Sequence, residues 1–84
     1  MKDFRIEFLT RDGYVFLAAE IAYREQRICQ LFRRVEDDSI EIEILDERFE
    51  LKEPVLLRFP LEDFLSVLDR TKAELLALRL DRLT

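Results

Sequence analysis

The 84-residue sequence contains no histidine, one cysteine and one glycine. Without histidine, the chain lacks the usual general base at neutral pH, imidazole metal ligands, and the base that activates a serine or cysteine nucleophile. A single glycine is too few for the phosphate-binding loop or the dinucleotide fingerprint. One cysteine can form neither an internal disulfide nor a zinc site. We therefore expect no catalysis, no cofactor and no metal ion.

Two weaker candidates for chemistry remain. The carboxylates Glu36, Asp37 and Asp38, followed by Glu41 and Glu43, are of the type that Mg²⁺ and Ca²⁺ prefer. No glycine is present to fold a loop around an ion there, so we interpret this stretch as a solvated turn and a polar sheet face.

The lone thiol is the second candidate. Cys29 lies inside a strand-like run, and we interpret it as a small buried hydrophobe rather than as a reactive thiol.

Long apolar runs are also missing. No stretch approaches the ~20 residues needed to span a bilayer, and residues 1–4 lack the apolar core of a signal peptide. The formal net charge of −5 argues against binding along a nucleic-acid backbone. Since 49% of the residues are apolar, the chain can bury one small core. The expectation is a single cytoplasmic domain that binds neither membrane nor nucleic acid.

The strongest pattern that is present is an amphipathic helix over residues 60–80. At 100° per residue, one side of this helix carries Leu61, Phe64, Leu65, Leu68, Leu75 and Leu76. Pro60 suits the first turn because its missing N–H costs nothing there. Lys72 and Arg79 project near the middle of the apolar stripe. Either their stems lie on apolar surface with the charges at its edge, or the stripe meets another chain there.

The residues before the helix alternate between apolar and polar, which is typical of β-strands. The predicted strands are residues 3–9, 14–24, 27–35, 40–45 and 49–59, the last with a break near Pro54. Gly13 supplies the first turn. The predicted fold is α+β: an antiparallel β-meander of four to five strands, covered on one face by a single C-terminal helix. If the helix crosses the strands, its length of ~33 Å exceeds a sheet of about 20–24 Å, and its last turns overhang.

Strands 14–24 and 27–35 are apolar on both faces. Such a strand is either covered twice or exposes an apolar patch, and one helix can cover only one face. The second cover would then come from another chain. The alternative is a β-bulge midway along strand 14–24 that exchanges its inward-pointing face.

The first interpretation predicts a non-enzymatic interaction module that forms a homodimer or binds another protein through the uncovered sheet face and the helix end. The candidate interface residues are Tyr14, Phe16, Ile28, Phe32, Leu78, Leu80 and Leu83.

The alternative function is a sensor of a small ligand or nucleotide. Its anion site would be formed by the arginines around the third strand, Arg24, Arg27, Arg33 and Arg34. The same arginines can instead pair across neighbouring strands with Glu20, Glu41 and Glu43.

Overall fold

The computed structural model describes the backbone of residues 3–11, 14–45, 56–78 and 81–82, and their side chains except those of 11, 14–16 and 81–82. The elements in chain order are β1 (Phe4–Arg11), β2 (Tyr14–Tyr23), β3 (Gln26–Arg33), β4 (Ile40–Ile44), α1 (Leu61–Ala77) and β5 (Asp81–Arg82). Strands β1 to β4 form an antiparallel sheet in sequence order, and α1 packs on one face against β2 and β3. The predicted α+β meander with one covering helix is confirmed.

The strand register determines which side chains meet α1. Ile21 of β2 lies between Ile6 of β1 and Cys29 of β3. In the next row on the same face, Ala19 of β2 lies between Phe8 of β1 and Leu31 of β3. Since side chains alternate between faces along a strand, these rows lie on one face. The buried cluster between this face and the helix consists of Ala19, Ile21, Tyr23, Ile28, Cys29, Leu31, Val67 and Leu75.

Helix α1 buries Val67, Thr71 and Leu75, which are spaced by four residues and therefore share one side of the helix. The buried hydroxyl of Thr71 donates to the carbonyl of Val67 at 2.7 Å, so it enters the core with a hydrogen-bond partner. Glu62 and Asp63 lie in the first turn, where negative charge is favourable.

Contacts at both ends show that α1 runs along β3 in the same direction. Its first turn is near the start of β3, because Phe64 stacks on Phe4, whose strand partner Tyr23 precedes the β2–β3 turn. At the other end, the guanidinium of Arg33 donates to the carbonyls of Leu75 and Leu78 at 3.3 and 3.0 Å. The helix therefore lies along the strands.

The helix is shorter than predicted. It ends at Ala77, and Leu78 is extended with φ −73° and ψ 140°. Residues Asp81–Arg82 then pair with Tyr14 and Val15 at the start of β2. The overhang expected from a helix crossing the strands is wrong, since α1 follows β3 and the chain returns to the sheet.

Most of the predicted fifth strand, residues 49–55, lies outside the described residues. The rest of it, residues 56–59, forms no strand. Leu57 and Phe59 are half-buried against the core, while Leu56 and Arg58 are exposed. The period-two pattern here therefore reflects alternate burial of side chains and not pairing of residues 56–59 with another strand.

A β-bulge distorts the β2–β3 ladder. Ile21 pairs with Cys29 but Ala22 pairs with Arg27, which leaves Ile28 as the extra residue. Strict alternation would place the side chains of Ile28 and Cys29 on opposite faces of the sheet. The bulge instead brings Ile28 into the core cluster. The bulge predicted from the sequence lay midway along strand 14–24. The bulge observed here adds its extra residue to β3, while β2 keeps a constant register with β1 from Ala18 to Tyr23.

Candidate interaction surface

We call the sheet face away from α1 the far face. Its positions, read from the register, include Arg5, Glu7, Ala18, Glu20, Ala22, Arg27, Gln30, Phe32, Glu41 and Glu43. Among the described side chains, the apolar ones on this face are Ala18 and Ala22, which are fully buried, and Leu9 and Phe32, which are half-buried beside Ala18. These alanines therefore offer no exposed apolar area to a partner.

Charged side chains cross-link the far face. The carboxylate of Glu20 is buried and accepts hydrogen bonds from Arg27 and from Gln30, both at 3.3 Å. On the neighbouring strand, Arg5 lies 3.4 Å from Glu25 and 3.9 Å from Glu7. The described part of this face is thus largely polar, which differs from the expectation of an apolar second face.

The predicted interface residues are placed as follows. Ile28 is in the core cluster, and Leu78 is half-buried with its carbonyl bound by Arg33. Phe32 is half-buried beside Ala18 on the far face. The side chains of the other four candidates lie outside the described part of the chain: Tyr14, Phe16, Leu80 and Leu83.

The predicted anion-binding arginines do not come together. Arg24 and Arg34 lie at opposite ends of β3, an eight-residue strand of about 25 Å. Each of the four guanidiniums also contacts a carboxylate: Arg24 and Asp3 at 3.4 Å, Arg27 and Glu20 at 3.3 Å, Arg33 and Asp38 at 2.9 Å, Arg34 and Glu41 at 3.6 Å. Two of these pairs, Arg27–Glu20 and Arg34–Glu41, join neighbouring strands, as the ion-pair interpretation of the sequence predicted. The geometry therefore does not favour a ligand sensor.

The acidic turn after β3 is organised by its own hydrogen bonds. Asp37 accepts from the hydroxyl of Ser39 at 2.7 Å and from its backbone N–H at 3.0 Å, and these bonds lower the pKa of the Asp37 carboxyl. No group of three His, Cys, Asp or Glu within the described residues could hold a metal ion. Burial raises the pKa of the Cys29 thiol to about 11, which keeps it protonated at neutral pH.

Helix α1 leaves a cleft on each of its two sides. On the β1 side, the ring of Phe4 lies 5.0 Å from that of Tyr23, 5.0 Å from that of Phe59 and 6.2 Å from that of Phe64. We call this side the aromatic flank. Aromatic rings fill it at the helix start, and farther along, the Arg70–Glu74 ion pair at 3.1 Å lines a cleft of about 260 Å³.

On the β4 side lies an open groove of about 280 Å³, the β4 groove, which is lined by Leu31, Ile40, Glu41, Ile42, Leu68, Asp69 and Lys72. Its floor is the helix-side face of β4, because Ile42 pairs with Leu31 and Ile44 with Cys29. Its wall is one flank of α1. The large aliphatic side chains along this side that are 40–68% exposed are Ile42, Ile44, Leu61, Leu65 and Leu76.

Lys72 lies in the middle of this wall. Leu61, Leu65, Leu68, Lys72 and Leu76 follow one another at intervals of three or four residues, which places them on one flank of the helix. Lys72 is exposed and forms no ion pair with a described residue. The exposure of Lys72 agrees with the first interpretation from the sequence, in which its charge reaches solvent. The second interpretation, a contact with another chain, stays a prediction.

Sequence reasoning missed the exposure of Ile42 and Ile44. Their strict alternation with Glu41 and Glu43 was correctly interpreted as a one-sided strand. What it did not show is that the helix would lie over β2 and β3 and leave β4 largely uncovered. The exposure could have been anticipated from dimensions, because one helix is ~10 Å wide and is narrower than a sheet of four strands.

No helix of the described residues is long and apolar enough to cross a bilayer. Comparison of the chain with protein-family models, with curated proteins and with solved structures finds no match.

Proposed function

We propose that this protein is a non-enzymatic interaction module that binds another protein through the β4 groove and the adjoining flank of α1. One observation carries the proposal: exposed aliphatic side chains of β4 and of the helix lie on the same side of the molecule, from Ile44 to Leu76. Contiguous apolar surface of this kind is uncommon on monomeric proteins and marks interaction sites.

The surface differs from the one expected from the sequence. The far face was expected to bind the partner, but its described side chains are mostly charged and paired with one another. Burying such pairs requires desolvation that their mutual attraction does not always offset. Burying the leucines and isoleucines of the groove carries no such cost, and the groove has fewer charged side chains, Glu41, Asp69 and Lys72, so it is the better binding surface.

A different protein fits this surface better than a second copy does. If two β4 strands paired edge to edge, Glu41 and Glu43 of one copy would lie opposite the same residues of the other, and like charges directly opposite are destabilising. The chain as a whole is also acidic, which opposes association of two copies and favours encounter with a partner of opposite net charge.

The experiment compares the native protein with Leu65→Glu, which puts a charge into the groove wall, and with Thr10→Glu, which adds the same charge on the opposite edge strand. A partner is captured with the native protein, identified, purified and titrated against all three proteins. We expect direct binding that Leu65→Glu weakens at least about tenfold and Thr10→Glu leaves unchanged.

Light scattering after size exclusion decides the self-association alternative. A dimer of the native protein that Leu65→Glu dissociates would identify a second copy as the occupant and overturn the choice of another protein. Absence of any direct binder, together with a monomer at high micromolar concentration, would overturn the proposed function itself.

A further inference from the structure

Strand β1 lies at one edge of the sheet that the described residues form, and β4 lies at the other. Along β1, Phe4, Ile6 and Phe8 pack toward the helix, and Arg5 and Glu7 lie on the far face. The side chains of Arg5 and Glu7 are 50% and 57% exposed. The ion pairs that Arg5 makes within the chain are exposed as well, so their energies are small and they do not prevent a new pairing. An edge strand of this kind is a template for pairing with another strand.

The backbone of β1 determines which of its polar groups point outward. The carbonyl of Asp3 accepts a hydrogen bond from the N–H of Arg24 at 2.9 Å, so it points toward β2. Since the N–H of a trans peptide points opposite to its carbonyl, the N–H of Phe4 points away from β2. Alternation along the strand gives the same outward direction to the N–H and carbonyl of Ile6 and of Phe8. Three positions of β1 therefore direct a donor and an acceptor toward the outer edge.

The sequence of β1 is complementary to itself. If two copies pair antiparallel about a two-fold axis at Ile6, residue 5 of one copy lies opposite residue 7 of the other, and residue 4 opposite residue 8. Each Arg5 then faces a Glu7 of the second copy, and each Phe4 faces a Phe8. The two charged residues fall at positions without backbone hydrogen bonds to the second copy, where opposing side chains are closest. Opposite-charge pairs and aromatic pairs both stabilise antiparallel strands.

The opposite edge of the sheet does not have this property. The same symmetric pairing of β4 about Ile42 would place Glu41 against Glu43 of the other copy, and like charges directly opposite are destabilising. Strand β1 carries two arginines and one glutamate, whereas β4 carries two glutamates and no cation. The general repulsion between two acidic chains is therefore offset along β1 and not along β4.

The helices do not obstruct a pairing along β1. Helix α1 lies over β2 and β3, about one and a half strand spacings from β1. The two-fold axis would then place the two α1 helices about four spacings apart, or about 19 Å. Helices with a width of about 10 Å do not collide at that distance.

We infer that a second copy of this chain binds along β1, so that two sheets join into one through antiparallel β1–β1 pairing centred on Ile6. This surface is separate from the β4 groove, and the inference goes beyond the proposed function. The pairing adds about six main-chain hydrogen bonds. Because each copy contributes one short strand, the interface is small and the dimer is weak and reversible.

The test exchanges charges at the two facing positions. Arg5→Glu places a carboxylate against Glu7 of the other copy, and Glu7→Arg places a guanidinium against Arg5. The double exchange, Arg5→Glu with Glu7→Arg, restores opposite charges, and so does an equimolar mixture of the two single variants. Glu43→Arg makes the same charge change as Glu7→Arg on the far face of β4 and is the matched control. Dimerisation is measured by analytical ultracentrifugation up to about 1 mM protein.

We expect a native dimer whose dissociation constant each single exchange raises at least about tenfold, because two opposite-charge pairs become two like-charge pairs. The double exchange and the mixture restore the dimer, and Glu43→Arg leaves it unchanged. Recovery in the mixture also shows that both single variants are folded.

Amide hydrogen exchange checks the backbone of the pairing. In the native protein, exchange at Phe4, Ile6 and Phe8 slows as the protein concentration rises, because their outward N–H groups become hydrogen-bonded. Exchange at Arg5 and Glu7, whose N–H groups point toward β2, does not depend on concentration.

A monomer at about 1 mM, equal dimerisation of all variants, or no recovery in the double exchange and the mixture would overturn the inference. A dimer that Leu65→Glu dissociates would overturn it as well, since the second copy would then occupy the β4 groove. If β1 pairing fails while a purified partner still depends on Leu65, the proposed function stands and only the β1 dimer is excluded.

Discussion

The two flanks of α1 belong to the same helix and adjoin the same face of the sheet, but their side chains pack differently. On the aromatic flank, four rings pack against one another with centroids about 5–6 Å apart: Phe4, Tyr23, Phe59 and Phe64. A cleft of about 260 Å³ remains farther along this flank. On the β4 side, isoleucines and leucines face a groove and stay exposed. The comparison shows that an apolar pattern in the sequence does not by itself tell whether a residue completes the core or forms a binding surface.

Side-chain size accounts for part of this difference. Aromatic rings are large enough to span the gap between a strand and a helix beside it, and ring pairs contribute beyond the area they bury. Ile42 and Ile44 are shorter, and the α1 residues that line the groove, Leu68, Asp69 and Lys72, include no aromatic ring. Among the described residues, no side chain fills the gap on the β4 side.

The largest contrast is between two adjacent leucines of α1. Leu75 is fully buried, whereas Leu76 is 40% exposed on the open side. We expect Leu75→Ala to lower the free energy of unfolding by about 2–5 kcal/mol and Leu76→Ala to change it by less than about 0.5 kcal/mol. Urea denaturation measures both values. If Leu75→Ala does not fold, Leu75→Met serves instead with a smaller loss. Equal losses at the two positions would contradict the assignment of the flanks.

A second contrast compares the two flanks directly. Phe4→Ala removes a half-buried ring with three aromatic neighbours, and we expect a loss of about 2–3 kcal/mol. Ile44→Ala on the exposed floor of the groove should cost less than about 0.5 kcal/mol. The measurement is the thermal unfolding midpoint of each variant at equal concentration. A larger effect at Ile44 would mean that the groove is covered within the chain.

A third contrast uses the neighbours Arg33 and Arg34. The Arg33 guanidinium is mostly buried and binds Asp38 and two carbonyls at the end of α1, whereas Arg34 makes exposed ion pairs. We expect Arg33→Met to cost about 1.5–3 kcal/mol and Arg34→Met about 0–1 kcal/mol. Amide exchange should accelerate in the last turn of α1 with Arg33→Met alone. Unchanged exchange there would show that Arg33 does not hold the helix end.

The smallest effect concerns Cys29, beneath α1 on β3. Burial raises the pKa of its thiol from 9.0 to about 11, so the folded state holds this proton more tightly than the unfolded chain. Its stabilising effect is complete below pH 9 and is lost as the pH rises toward 11. The loss should stay under about 1 kcal/mol near pH 9.5. Urea denaturation of the native protein and of Cys29→Ala across this pH range gives the part of the stability change that comes from the thiol. If the free energies of unfolding of the two proteins depend on pH in the same way, the buried thiol is not the cause of the loss.

Local patterns predicted much of the fold because they depend on neighbouring residues in the chain. The alternation in β1 and β4 and the period of α1 gave the correct element types, and a single helix packs on the sheet as predicted. Errors arose where distant segments decide. Ile28 joins the core because of a bulge in its pairing with β2, and α1 ends at Ala77, where Arg33 binds its last carbonyls.

The sequence by itself determined the α+β class and the absence of histidine, since composition and periodicity are properties of the chain alone. Only the tertiary structure decided which apolar residues are left exposed. That choice depends on the lateral position of α1 over β2 and β3, and the position results from packing between residues far apart in sequence. A helix shifted by two strands would have buried Ile42 and exposed Phe4.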